Sequence, residues 1–289
     1  MAMERLVSES LFGMIRTVSS SIEDWMHEGI RALQFDGVFV LESVVPKDIC
    51  ETLAGLAEKA LELVRGEIGV SRLSAAGESG VVRVPLKFFR EFALLLEVPD
   101  VVAIVERVIG ESAICHLINA IVLEPRSDSK NSGFKDLFQS RLHRDFPRFL
   151  GGKPLSINSF YCLTDFTSVN GSTRFLVGSH QKEGQTASDR DQSPVSVHAP
   201  AGSAIIFDST IWHSGGTNVT SEPRIGVNVQ WTHHWMKQQI DLVRVLGSSR
   251  CGDFSPAVQQ RLGYNSQVVT SLQEYYVPTE QRIYKAGQG

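Results

Sequence analysis

Two histidines, an aspartate and an arginine are the residues whose types and spacing could do chemistry together. His143 is followed two residues later by Asp145 in RLHRDF. On an extended segment, positions i and i+2 point the same way, so an imidazole and a carboxylate there can converge on one ion. A metal site needs a third ligand from elsewhere, and the best candidate is His213 in IIFDSTIWHSGGTN. It ends a strand-like apolar run and precedes a Gly-Gly turn, where a β scaffold presents ligands at its mouth. Taken alone, His213 fits a packed or turn histidine slightly better than a ligand.

Arg224 lies eleven residues after His213, across SGGTNVTSEP and at the start of RIGVNVQW. A buried guanidinium there could hold a carboxylate bidentately, fixing a dicarboxylic co-substrate whose other end chelates a metal. Period two puts Arg224, Gly226 and Asn228 on one strand face, with Gly226 leaving room beside the arginine. The spacing is not decisive by itself, because His233 and Arg244 repeat it. Two histidines and one carboxylate with open positions describe the facial triad of non-haem Fe(II) oxygenases.

Such a set needs a rigid scaffold, and composition bounds what that scaffold is. The 289 residues carry 28 Lys and Arg against 32 Asp and Glu, a net charge of −4, with 42% hydrophobic and 21% charged residues. That is a soluble globular composition, which disfavours a disordered chain and a nucleic-acid binder relying on a broad basic surface. No apolar run approaches the roughly 20 residues of a membrane-spanning helix. The opening MAMERLVSESLFGMIRTVSS shows no secretory h-region. Cys50, Cys115, Cys162 and Cys251 are scattered and suit reduced thiols. A cytoplasmic protein with a small-molecule partner, and neither nucleic acid nor membrane, is expected; its oligomeric state is open, a homodimer included. In that compartment the sequons at Asn170 and Asn218 are coincidental.

Along the chain, the first thirty residues are expected to be helical, ending near Gly29. The Asp36-Gly37 turn should lead into a strand at Val38 to Leu41. Pro46 and Asp48 should open a helix with an apolar stripe of Ile49, Leu53, Leu56, Ala60 and Leu63. VSRLSAAGESG has the look of a polar connection, and PDVVAIVERVIG of a second helix. From Ser112 the segments AICHLINAIVLE, PLSINSFYCLTDF, SPVSVHAPAGSAIIFD and RIGVNVQWT are short, β-rich and set off by turn residues, which suggests a sandwich or double-sheet jelly roll. HWMKQQIDLVRVLG is the clearest helix near the end. The expected organisation is one domain over 1–289: a helical flank 1–111, a β core 112–232, and a helix and tail 233–289.

With these residues assembled, the chain resembles the phytanoyl-CoA dioxygenase family of Fe(II)/2-oxoglutarate oxygenases. FDGVFVLESVVPKDICETL and PDVVAIVERVIG are similar to the family's opening elements, LHRDF to its metal motif, and LTDFTSVNGSTRFLVGSH to its central signature. AGSAIIFDSTIWHSGGTNVTSEPRIGVNVQW resembles the block of the distal histidine and arginine, and PAVQQRLGY the C-terminal tail. The resemblance implies a double-stranded β-helix of the jelly-roll, cupin-like kind. It implies Fe(II) on His143, Asp145 and His213, and Arg224 on the far carboxylate of 2-oxoglutarate, with Thr173 and Asn119 helping to hold that co-substrate. O2 would be the second co-substrate, succinate and CO2 would be released, and a C–H bond would be hydroxylated, desaturated, cyclised or peroxidised. Several relatives carry a glutamine two residues before the first ligand; here Arg141 stands there and the nearest glutamine is Gln139. Asp145 argues against halogenation, for which related enzymes replace the carboxylate with a small residue.

The remaining histidines receive quieter roles. His180 belongs to a structural Gly-Ser-His turn, His116 and His198 to packed or surface strand positions, and His233 and His234 to a helix entry. Phe146, Arg148 and Trp231 are candidate substrate contacts, with core or rim packing as the alternative. The polar segment 126–140 is either a lid or a solvated connection. Two competing readings are a catalytically silent relative that binds a ligand or partner, and a cupin-like metal protein indifferent to 2-oxoglutarate. Arg224 separates the latter from the oxygenase reading.

Overall fold

The computed structural model describes residues 15–126, 140–150, 154–184 and 193–282. Its strands are β1 (Arg16–Ser19), β2 (Val38–Glu42), β3 (Val81–Arg83), β4 (Ile114–Leu123), β5 (Ser156–Cys162), β6 (Arg174–Phe175), β7 (Val195–Ser196), β8 (Ala204–Asp208), β9 (His213–Ser214) and β10 (Arg224–Thr232). They form a seven-stranded sheet in the order β1-β2-β8-β5-β10-β4-β3 and a three-stranded sheet in the order β7-β6-β9. Every neighbouring pair is antiparallel except β1 with β2. This is the expected jelly roll, mainly β with helical flanks.

Alternation along the strands divides the large sheet into two working faces. One face carries Val82, Ala120, Val122, Ile157, Tyr161, Ile206, Val227, Val229 and Trp231 into the main core beneath the helices. The other carries Val38, Val40, Phe160, Cys162, Ile205 and Phe207 toward the small sheet, where they meet Phe166, Phe175, Val197 and Ile211. In β10 the residues between the core apolars are Arg224, Gly226, Asn228 and Gln230. A one-residue slip would exchange the two sets, losing about 1.5–3 kcal/mol for each large apolar side chain taken out of the core. The register that buries Val227, Val229 and Trp231 is therefore also what aims the polar row between the sheets.

The helices cover the outer face. Among them are α1 (Trp25–Phe35), α2 (Lys47–Ile68), α3 (Val70–Ala75), α4 (Pro99–Val108), α5 (Leu242–Leu246) and α6 (Pro256–Leu262). Four sequence expectations are corrected here. The stretch before Gly29 is not one helix: Arg16–Ser19 pairs with β2, and α1 runs straight through Gly29. That glycine is a packing residue, since a Cβ on it would lie 3.0 Å from Phe39 Cζ. The α2 stripe is rotated, burying Cys50, Ala57, Leu61 and Val64 with Leu53 and Ala60, while Leu63 is 50% exposed. VSRLSAAGESG contains α3 rather than a plain connection. In HWMKQQIDLVRVLG only Leu242–Leu246 is helical. Gln238 pins the preceding segment as a loop by donating to Cys115 O and Leu262 O at 2.8 and 3.1 Å, and Asp241 caps α5 by accepting from Arg244 N at 3.0 Å.

Among the described residues, no helix is long and apolar enough to cross a membrane. The segment 126–140, read as either a lid or a solvated connection, falls, at 127–139, outside the described residues.

Candidate metal centre and its cavity

His143 and His213 face each other through an isolated antiparallel bridge, each amide donating to the other's carbonyl at 2.9 Å. The pairing holds the two imidazole centroids 4.3 Å apart. Each ring is oriented by the carbonyl two residues upstream: His143 Nδ1 lies 2.8 Å from Arg141 O, and His213 Nδ1 3.0 Å from Ile211 O. A carbonyl only accepts, so both Nδ1 atoms carry a proton, and in the neutral rings Nε2 is the atom left to ligate a metal. Asp145 completes the group, with Oδ1 3.5 Å from His143 Nε2 and Oδ2 3.7 Å from His213 Nε2. The ligand atoms of all three lie within 4.8 Å of one another, so one divalent cation can touch them together.

The extended run His143-Arg144-Asp145 behaves as its spacing predicts. Arg144 turns the opposite way, donating to Ser179 O and Lys182 O at 3.0 and 2.8 Å and lying over Trp212 and Phe149. Burial opposes the charge on Asp145, yet His213, His143 and a hydrogen bond from Asn158 outweigh it and hold the carboxyl at about 2. Burial pushes His213 down to about 4 against the pull of Asp145. Burial also works downward on His143, but the hydrogen bond and charge of Asp145 raise it above the ordinary imidazole value. At neutral pH the group thus offers an ionised carboxylate and a neutral His213.

The same cavity, about 210 Å³ in volume, is lined on its floor by Arg224. Arg224 is 3% exposed and sits over the rings of Phe166 and Phe160, 4.5 and 5.7 Å from their centroids. The aromatic pair is admitted by Gly226, where a Cβ would come within 2.7 Å of Phe160 and 2.9 Å of Phe166. Arg224 Nη2 donates to Gly171 O at 2.9 Å, whereas Nε and Nη1 are buried without any partner. Two unmet donors on a buried cation cost several kcal/mol unless an anion meets them. Burial pushes the guanidinium down to about 10, which leaves it charged at neutral pH. A carboxylate entering the cavity would meet a donor that nothing else satisfies, so the donor set fits a divalent iron at one end and a dicarboxylic acid reaching from it to Arg224.

Thr173 and Asn119 line this cavity as well. Asn119 lies across from Asn228 in the β4–β10 ladder and, with its amide turned to satisfy both neighbours, accepts from Arg83 Nη1 at 2.8 Å. The candidate substrate contacts are not gathered there. Trp231 is wholly buried on the helix side of β10, donating from Nε1 to Ser159 Oγ at 2.9 Å, because its parity is that of Val227 and Val229. Phe146 does not reach the cavity, and Arg148 is exposed and lies over Phe146, 5.4 Å from the ring centroid. Arg148 instead lines a second hollow beside α1, with Leu33, Phe35 and Thr210.

Other residues line the site without having been singled out in the sequence. His116, assigned above to a packed or surface position, borders the cavity with Asn228, Gln230 and Gln239. Asn158, fully buried on β5, touches Asp145 directly. The signal for them was strand parity: Asn158 shares the inward face with Phe160, and Gln230 shares it with Arg224. His180 is structural, Nε2 lying 3.0 Å from Gln34 O of α1. Asn218 of the second sequon is buried, its side chain donating to Leu123 O and Glu222 O at 3.0 and 2.8 Å.

The chain matches the family described as phytanoyl-CoA dioxygenase (PhyH) across residues 33–226, a span containing His143, Asp145, His213 and Arg224. The chain belongs to the phytanoyl-CoA dioxygenase family. As a member of that family it is a non-haem dioxygenase working with Fe(II) and 2-oxoglutarate. It is 39% identical over 259 residues to an uncharacterised protein of Mycobacterium tuberculosis, covering 89% of this chain and 94% of that one. It is 26% identical over 257 residues to a protein named dioxygenase olcK of Penicillium canescens, covering 81% and 79% of the two chains. Among solved structures it is similar to SnoK, described as a non-heme alpha ketoglutarate dependent carbocyclase from nogalamycin biosynthesis, with TM-score 0.52 and 17% identity over 71% of this chain and 83% of that one. At that identity the likeness concerns the fold.

Proposed function

We propose that this phytanoyl-CoA dioxygenase family member hydroxylates a C–H bond of a small molecule of secondary metabolism. In this reading His143, Asp145 and His213 hold Fe(II), and Arg224 pairs with the far carboxylate of 2-oxoglutarate. The observation that carries it is that the converging histidine Nε2 atoms and the unmet donors of Arg224 belong to one cavity. Secondary metabolism is supported by a relative named as a dioxygenase of a Penicillium and a similar fold described from nogalamycin biosynthesis. The chain is taken to work as one domain in the cytoplasm.

Iron held by these residues would supply the activation of O2 that couples the decarboxylation of 2-oxoglutarate to succinate with oxidation of the substrate. The chain's own residues orient and exclude. Arg224 fixes the co-substrate in one direction, and Phe160 and Phe166 keep water from that ion pair, so its hydrogen bonds act in a low-dielectric pocket. Thr173 and Asn119 flank the path between the two ends. His116, Gln230 and Gln239 give the remaining wall a polar character and suit a substrate with hydrogen-bonding groups.

Anaerobic titration of the purified chain with Fe(II) and 2-oxoglutarate tests the reading. A weak visible charge-transfer band is expected, and His213→Ala should lose it. Absence of both the band and any succinate formation from the wild type would sink the oxygenase assignment at this site.

A further inference from the structure

Asp145 stands at the end of a row of buried side chains that begins on the cavity wall. Gln230 Nε2 donates to Ser156 Oγ at 2.8 Å, and Ser156 Oγ lies 2.9 Å from Ser209 Oγ. Ser209 Oγ donates to Asn158 Oδ1 at 3.2 Å, and Asn158 Nδ2 donates to Asp145 Oδ2. None of the four is more than 2% exposed. A hydroxyl has one proton. The Ser209 proton goes to Asn158, so the Ser156 proton must go to Ser209, leaving Ser156 to accept from Gln230. Every donor in the row therefore points toward the carboxylate, and bonds aligned this way polarise one another.

The row selects one oxygen. Asn158 occupies Oδ2, while Oδ1 faces His143 Nε2 at 3.5 Å. A free carboxylate can place both oxygens on one cation. On a metal with three protein ligands that second oxygen would fill a position the co-substrate needs. We propose that Asn158, oriented by Ser209, Ser156 and Gln230, is a positioning residue that keeps Asp145 a one-oxygen metal ligand. This rests on the metal reading above.

The test uses the full chain loaded anaerobically with Co(II), whose visible spectrum reports coordination number, followed by titration with 2-oxoglutarate. Asn158→Ala should change the Co(II) band and weaken 2-oxoglutarate binding about tenfold or more, the lower end of what losing a ligand-orienting partner costs. Co(II) affinity should stay within about threefold, because the extra carboxylate oxygen replaces what the lost orientation gave. Ser209→Ala, which leaves Asn158 in place but unaligned, should move the band in the same direction by less. If Asn158→Ala does not fold, the Ser209→Ala spectrum decides alone, and a wild-type spectrum there overturns the proposal. A wild-type band and wild-type 2-oxoglutarate affinity in Asn158→Ala would overturn it while leaving the metal reading intact. Parallel loss of Co(II) and 2-oxoglutarate affinity would overturn it too, since that marks a general support role. Failure of the wild type to bind Co(II) would bring down the metal reading first and this one with it.

Discussion

Replacing Arg224 with methionine separates co-substrate recognition from everything else the site does. In the protein without co-substrate, the guanidinium keeps one hydrogen bond, to Gly171 O, and two aromatic neighbours, with Nε and Nη1 unmet. Removing it loses that charge-assisted bond, about 1.5–3 kcal/mol, and ring contacts of up to about 2 kcal/mol. Against this stands a buried charge whose desolvation costs several kcal/mol and which an apolar side chain of similar volume would not incur. The two sides nearly cancel, so the Arg224→Met chain should melt close to the wild type or above it. Co-substrate binding has no such compensation. Two charge-assisted bonds from adjacent guanidinium nitrogens to a carboxylate contribute about 3–6 kcal/mol together. Their loss should weaken 2-oxoglutarate by at least about a hundredfold, at 1.4 kcal/mol per tenfold. Metal affinity should stay within a few-fold, because Arg224 touches none of the three candidate ligands. Calorimetric titration of Co(II), then of 2-oxoglutarate into the Co(II)-loaded protein, measures both. A change of less than about fivefold in 2-oxoglutarate affinity, or an equal loss of both, would refute the assignment.

Two further outcomes follow from the same geometry. Metal binding should weaken as pH falls through a value above the ordinary imidazole range, because Asp145 raises His143 and a proton there competes with the metal; Asp145 at about 2 and His213 at about 4 titrate too low to set that limit. Co(II) affinity measured from pH 5.5 to 8.5 would contradict this if it stayed flat. Trp231→Phe should lower the melting temperature, by about 1–3 kcal/mol of stability, because Ser159 Oγ loses its buried donor. The same variant should leave 2-oxoglutarate-dependent succinate formation at the wild-type level, and a drop in that rate without any loss of stability would restore Trp231 to the cavity.

The parts of this site that follow period two were legible in the sequence. His143 and Asp145 converge because one residue stands between them, and Arg224, Gly226 and Asn228 share a face for the same reason. The jelly roll was legible from short β-rich segments at close spacing. Trp231 was placed at the site although period two from Arg224 puts it on the opposite face, a conflict that aromatic character near a candidate ligand obscured. Asn158 and Gln230 were legible in principle by parity. What no periodicity carries is the serine pair between them, which joins β5 to the turn after β8 and exists only once the sheet is assembled. Helix ends were missed where a side chain outside the helix decides them, as Gln238 and Asp241 do for α5. Gly29 misled because a glycine that makes room for Phe39 and a glycine that stops a helix look alike in one dimension.

The bridge between His143 and His213 ties the two imidazoles to the main chain rather than to whatever they bind. Their spacing is settled by two amide hydrogen bonds in the sheet, and each ring is already turned by its own carbonyl. Hydrogen bonds that do not involve the metal therefore set the spacing and direction of the ligands, and the chain is expected to keep its fold when a chelator removes the metal and to accept nickel or cobalt in its place.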